Sequence, residues 1–137
     1  MELERIAAES QAHPDVLEMR WRIDAGECLW AASLAVAEQL VRVDPENPSG
    51  WIHRSYSLHE LKRTVEARDC LLAVEGKFRG IPTIPYNLAC YACQLGDLAG
   101  ARTWLARAAR LLGKEELKEL AAADGDLLPL RDEIDRL

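Results

Sequence analysis

The sequence predicts an all-α protein built from repeated helical hairpins, and three observations support this. Of the 137 residues, 49% are hydrophobic and 29% are charged, which provides both a core and a polar surface. Alanine, leucine, glutamate and arginine dominate, and these residues favour helices over strands. Small and apolar residues recur every 34 positions, and helix-start signals fall at matching places. We therefore expect one short array of hairpins, and no large multidomain enzyme.

The 34-residue period is visible when residues 14–47, 48–81 and 82–115 are aligned without gaps. One column holds only small residues: Ser33, Ala67 and Ala101. Helix axes approach to about 8–10 Å only where side chains are small, so this column predicts a helix crossing in every unit. The alternative is an ordinary helical bundle with a coincidental spacing, because bundles also use apolar stripes of 3.6-residue period.

Local signals place the individual helices. Pro14 begins a helix after His13, and Asn47 followed by Pro48 is an N-cap residue with proline at the first helical position. Glycines and prolines in residues 80–85 separate the second hairpin from the third. We place helices at about 2–12, 14–25, 29–43, 48–60, 64–77, 84–95, 98–112, 115–123 and 127–136.

These columns resemble a known helical repeat. Trp51, Ser55 and Ala67 match its pattern in the second unit, whereas bulky Trp21 occupies a small-residue position in the first. Gly26 comes two places early, so we expect an irregular first turn. The sequence thus resembles the tetratricopeptide repeat (TPR) family. The resemblance implies an α-α superhelix of about three helix-turn-helix repeats in a single domain, 1–137, with a capping helix at 1–13, repeats at 14–47, 48–81 and 82–115, and a C-terminal cap at 116–137.

Charge and cysteine usage exclude several classes. The net charge of -6 argues against a nucleic-acid-binding protein, which normally presents a basic face. No apolar run approaches the roughly 18 residues of a membrane span, and the start lacks the basic and apolar stretches of a signal peptide. We therefore expect a cytoplasmic protein with reduced cysteines. Residues 46–113 carry nine basic and six acidic side chains, and we interpret the arginines on the second helices as a solvated face.

Sequence motifs of catalysis are absent. There is no phosphate-binding glycine loop, zinc-protease helix or nucleophile elbow. Cys90 and Cys93 lie three apart on one helix face, but a structural zinc site needs four ligands and the other cysteines and histidines have no companion spacing. We predict no catalytic residue, metal or cofactor. A metal or thiol protein using Cys90 and Cys93 is the alternative from another class.

The resemblance also implies where a partner would bind. First helices of TPR hairpins line the concave groove, and matching positions here are Arg22, Ser49, Ile52, Tyr56, His59, Tyr86, Asn87 and Cys90. Tyr56 and Tyr86 are the expected anchors, with packing between neighbouring first helices as the alternative.

The predicted function is a non-enzymatic scaffold that binds a peptide or helix of another protein. A secretion-type TPR chaperone is the alternative within this class, and we expect a monomer or a weak homodimer. The basic and asparagine residues of the TPR clamp for chaperone C-termini are missing, since Glu18, Arg22 and His53, with Thr83 and Asn87, occupy those positions. This pattern disfavours a co-chaperone role.

Overall fold

The protein is all-α throughout the described part of the chain. The computed structural model describes residues 13–137, so the predicted helix 2–12 lies outside the described residues. The described residues form these helices: α1 Pro14–Gly26, α2 Trp30–Val43, α3 Pro48–Glu60, α4 Thr64–Glu75, α5 Thr83–Gln94, α6 Leu98–Leu112, α7 Lys114–Ala122, a 3-10 helix Gly125–Leu130 and α8 Arg131–Asp135. The predicted helices from residue 14 to residue 123 are confirmed within two residues at each end.

Side-chain caps explain several of these boundaries. The side chain of His13 accepts a hydrogen bond from the Asp15 amide, and that of Asn47 accepts one from the Ser49 amide. Asp97 caps α6 in the same way through the Gly100 amide. Each contact satisfies one of the amides that a helix leaves without an internal partner.

The turns that close the three hairpins share one geometry. Cys28, Lys62 and Gly96 all have positive φ, at 58°, 67° and 81°. In each turn the next residue's amide bonds to a carbonyl five positions earlier, as in Leu29 to Asp24 at 2.8 Å, and the bonds of the other two turns are shifted by 34 and 68 residues. The positive-φ residue itself donates a second hydrogen bond to the carbonyl three positions earlier, as in Cys28 to Ala25 at 3.0 Å. A helix end with these two hydrogen bonds is a Schellman motif. The expected irregular first turn is wrong, because Cys28, which lies 68 residues before Gly96, adopts the same left-handed conformation although it is not a glycine.

The chain divides into two compact units between residues 63 and 64. In the first unit α1 packs against α2 and α3. Leu17, Val36 and Leu40 form its core, and Trp21 packs against them. A Cβ atom at Gly50 would meet the Val41 amide nitrogen at 3.1 Å, so this glycine lets α2 and α3 approach closely.

In the second unit α5 packs against α4, α6 and the 3-10 helix. Ala67 on α4 and Ala101 on α6 are fully buried, as their place in the small-residue column predicts. The division into repeats 14–47, 48–81 and 82–115 with a cap at 116–137 stays a prediction.

The predicted final helix, 127–136, is wrong in its first part. A 3-10 helix runs from Gly125 to Leu130 and only five residues of α8 follow. Pro129 lacks the amide hydrogen that an α-helix would need there. Leu127 and Leu130 are each 1% exposed, so this segment is held in the core of the second unit. No helix among residues 13–137 has the length and apolar character needed to cross a lipid bilayer.

Candidate functional site

Glu18 is the centre of a hydrogen-bonded group that joins α1 to α3. Its carboxylate accepts bonds from Ser49 Oγ at 2.6 Å, His53 Nε2 at 2.7 Å and Arg22 Nε at 3.2 Å. Arg22 lies four residues after Glu18 on the same helix face, whereas Ser49 and His53 lie one turn apart on α3. The residues of two first helices therefore form one continuous polar surface.

The charges of this group follow from its contacts. Burial raises the pKa of Glu18, but the hydrogen bonds from Ser49, His53 and Arg22 outweigh it and hold that pKa below its ordinary value. Burial lowers the pKa of His53, and the adjacent carboxylate opposes this only in part. At neutral pH the ionised Glu18 carboxylate therefore accepts a hydrogen bond from the neutral imidazole of His53.

An aromatic group lies next to Glu18. The Trp21 indole stacks on the His53 ring at 3.6 Å between centroids, and Tyr56 contacts Trp21 edge-on at 6.1 Å and Trp30 at 5.6 Å. Trp21 Nε1 also donates to Ser57 Oγ at 3.0 Å. Tyr56 is 38% exposed, so the group presents part of an aromatic ring to solvent.

Trp21 is a residue of this site that the site prediction missed. Its signal was present in the sequence, since Trp21 is bulky where the repeat pattern has a small residue. The structure explains the departure: Ser57 and the fully buried Ser33, whose hydroxyls lie 2.8 Å apart, provide the space and the polar partner for the indole. A polar partner of this kind is what a partly buried tryptophan N–H requires.

In the second unit, the chain's own C-terminal region covers the matching stripe of α5. Asp124 Oδ2 accepts from the Tyr86 hydroxyl at 2.8 Å and lies 3.5 Å from Cys90 Sγ. Gln94 Nε2 donates to the Asp126 carbonyl at 3.0 Å. Residues 86, 90 and 94 are spaced four apart on one helix face. All three are therefore occupied by residues 124–126.

The same contacts determine the thiol chemistry. Burial raises the pKa of Cys90, and the negative charges of Asp124 and Asp126 raise it further. The pKa of Cys93 is raised for the same reasons. A reactive cysteine needs a lowered pKa, so both side chains are protonated thiols at neutral pH. Within residues 13–137, no group of three histidine, cysteine or acidic residues is placed to hold a metal ion.

The predicted partner-binding residues thus fall into separate groups. Arg22 and Ser49 meet at Glu18, and Tyr56 lies in the adjoining aromatic group. Tyr86 and Cys90 meet at Asp124. The other three residues are half-buried: Ile52, His59 and Asn87.

Comparisons with known proteins establish the fold. A MamA structure (MSR-1 C2) matches over 80% of this chain and 63% of its own, with 18% identity and a TM-score of 0.65. A chain of the CopN-Scc3 complex matches over 88% and 66%, with 16% identity and a TM-score of 0.66. The Yersinia enterocolitica type III secretion translocator chaperone SycD matches over 96% and 93%, with 17% identity and a TM-score of 0.65.

These neighbours are TPR-like helical repeat proteins, so the predicted fold class is confirmed. The chain spans less than two thirds of the length of the MamA and CopN-Scc3 chains. No family model and no curated protein matches the sequence.

Proposed function

We propose that this chain is a non-enzymatic protein-interaction module that binds an extended segment or a helix of a partner protein. The binding surface in the first unit is the face shared by α1 and α3. The observation that carries the proposal is the partly exposed Tyr56 ring, which packs on Trp21 and Trp30. Trp21 in turn stacks on His53, a hydrogen-bond partner of the Glu18 carboxylate. A fixed aromatic ring next to a charged group is typical of binding hot spots.

The same geometry argues against catalysis. Ser49 donates its hydroxyl hydrogen to Glu18, and His53 bonds to the same carboxylate instead of to Ser49, so this group lacks the serine–histidine hydrogen bond of a catalytic triad. His53 is stacked against Trp21, which fixes its ring within the packed surface. The side chains of this group are committed to holding α1 and α3 together, and an enzyme class is not part of the proposal.

Exposed side chains of α1 extend the surface. Met19 is 64% exposed and Ile23 is 55% exposed, one helical turn apart and beside Arg22. A partner segment with apolar side chains would bury these two residues together with Tyr56. For one short array we expect affinity near the micromolar range, about -8 kcal/mol.

The experiment compares partner capture by wild type, by Tyr56→Ala, which alters the proposed surface alone, and by Tyr56→Ala/Tyr86→Ala, which alters both predicted anchors. We expect both variants to lose the partner while their helical circular dichroism is retained. The matched control is Val65→Ala/Leu72→Ala, which removes two exposed apolar side chains of α4. Equal capture by wild type and Tyr56→Ala, or equal loss in the control, would refute the proposed surface.

A secretion chaperone is the second candidate, and the match to SycD over nearly the full length of both chains favours it. Exposed Val16, Met19 and Ile23 form an apolar stripe on α1 that could serve self-association. Light scattering separates the candidates: a dimer that dissociates in Met19→Asp is expected for a chaperone of this kind, whereas a monomer in wild type contradicts it.

We place this activity in the cytoplasm and expect a protein partner, with neither nucleic acid nor membrane involved. The thiol or metal alternative is tested by metal analysis of protein purified without chelator. Stoichiometric zinc bound through Cys90 and Cys93 would overturn the interaction-module proposal in favour of that class.

A further inference from the structure

A second surface of the protein carries a positive charge that the proposed function does not use. A depression of about 480 Å³ lies beside α6 in the second unit, and we name it the arginine hollow. Its lining residues are Arg79, Thr103, Trp104, Arg107, Arg110 and Leu111. The hollow contains three guanidinium groups and no acidic lining residue.

The three arginines differ in their partners. Arg107 forms an ion pair with Glu75, and both side chains are largely buried. Arg79 and Arg110 are exposed, and within residues 13–137 neither makes a hydrogen bond or an ion pair. One guanidinium is thus neutralised and held in place, whereas two remain available. The expected solvated face is confirmed for Arg102 and Arg110, which are exposed, whereas Arg68 is half-buried. Arg107 differs, because its ion pair with Glu75 is largely buried.

The hollow is not purely polar. Trp104 is half-buried and Leu111 is 42% exposed, so apolar side chains line the hollow together with Arg79 and Arg110. Guanidinium groups bind carboxylates through two parallel N–H bonds, and they also pack flat on aromatic rings. A ligand that fits must present carboxylates to Arg79 and Arg110 and an apolar side chain to Trp104.

We propose that the arginine hollow binds an acidic segment of a partner protein, with glutamate or aspartate flanking a leucine-like residue. Charge complementarity favours a peptide over a nucleic acid: the chain as a whole carries a net charge of -6, so a long polyanion would be repelled outside the hollow. The lining residues come from α6 and from the loop between α4 and α5 in the second unit, whereas the proposed binding face on α1 and α3 is in the first unit.

The test uses the full chain and a short fluorescein-labelled peptide rich in glutamate, with leucine and serine at the other positions. Fluorescence anisotropy should show saturable binding that weakens with added salt, and the same peptide with glutamine in place of glutamate should bind at least about tenfold more weakly. Amide chemical shifts should move at Arg79 and along residues 103–111, while those of α1 stay unchanged.

Variants locate the binding. Arg79→Gln/Arg110→Gln should weaken binding of the acidic peptide about tenfold, because both free cations are removed. The charge-matched control Arg20→Gln/Arg42→Gln removes two exposed arginines of α1 and α2 and should change affinity less than about twofold. Equal loss in both variants, equal binding of the glutamine peptide, or preferential binding of an RNA oligomer or anionic vesicle would overturn the proposal.

Discussion

The left-handed residue of the first hairpin turn provides a direct test of the repeat geometry. Cys28 has a φ of 58° and is exposed, so replacing it with glycine changes the backbone preference with little loss of packing. A non-glycine residue in this conformation is strained by about 1–2 kcal/mol. Glycine removes that strain but costs about 0.5–1 kcal/mol in conformational entropy. We expect Cys28→Gly to increase the free energy of unfolding by about 0.5–1 kcal/mol.

Two further variants give opposite results if the turn is as described. Glu27, the neighbouring residue, has a φ of -94°, so Glu27→Gly gains nothing from the left-handed region and should destabilise by about 0.5–1 kcal/mol. Gly96 has a φ of 81° and open space around its Cα, so Gly96→Ala should destabilise by about 1 kcal/mol through backbone strain alone.

The measurement is urea unfolding followed by circular dichroism, with the midpoint compared at constant slope. Cys28→Ala separates the effect of the thiol from that of the backbone, since alanine retains the strain. If Cys28→Gly and Glu27→Gly destabilise equally, or if Gly96→Ala leaves the midpoint unchanged, the shared turn geometry is refuted.

Three other outcomes follow from burial and charge. Ala67 is fully buried on α4, so Ala67→Leu should lower the free energy of unfolding by about 1–3 kcal/mol through overpacking, and an unchanged melting temperature would contradict the small-residue column. Burial lowers the folded-state pKa of His53 below its unfolded value near 6.5. The unfolded chain therefore binds the proton more readily, and the free energy of unfolding decreases as the pH falls through the folded-state pKa. His53→Gln should remove this part of the pH dependence in unfolding titrations from pH 7 to 5, and the same pH dependence in wild type and variant would refute the assignment. In alkylation followed by mass spectrometry at pH 8, exposed Cys28 should react well before Cys90, whose pKa is raised by burial and by Asp124; equal rates would show that residues 124–126 do not cover α5.

Much of the fold could be predicted because local signals and the repeat agree. Proline at the helix starts, small residues at the crossings and the 34-residue period all specify the same helices, and consistency across levels is typical of a foldable sequence. The prediction of an irregular first turn was wrong because it relied on the position of Gly26. The Schellman motif needs a positive φ and two backbone hydrogen bonds, and Cys28 and Lys62 satisfy these at a cost in strain.

The site was less predictable because its key contacts join residues far apart in sequence. The period places Tyr86 and Cys90 on one face of α5, but it contains no information on what lies against that face. Asp124 contacts both side chains because it directly precedes the 3-10 helix Gly125–Leu130, which packs on α5. Pro129 within this helix and the buried side chain of Leu127 favour that arrangement. The sequence pattern of one helix predicts which of its residues share a face. It does not predict which later segment of the chain packs against that face.

This difference between the two units has a consequence for the proposed partner. On α5 the acceptor for the Tyr86 hydroxyl is an internal carboxylate, and breaking that contact would also disturb the segment that buries Leu127. On α3 the Tyr56 ring packs against Trp21 and Trp30 and is 38% exposed, so a partner can contact it. We expect Tyr56→Ala alone to reduce partner affinity more than Tyr86→Phe, a comparison that isothermal titration can make once a partner is captured; the reverse order would place the binding surface on α5 and require release of residues 124–130.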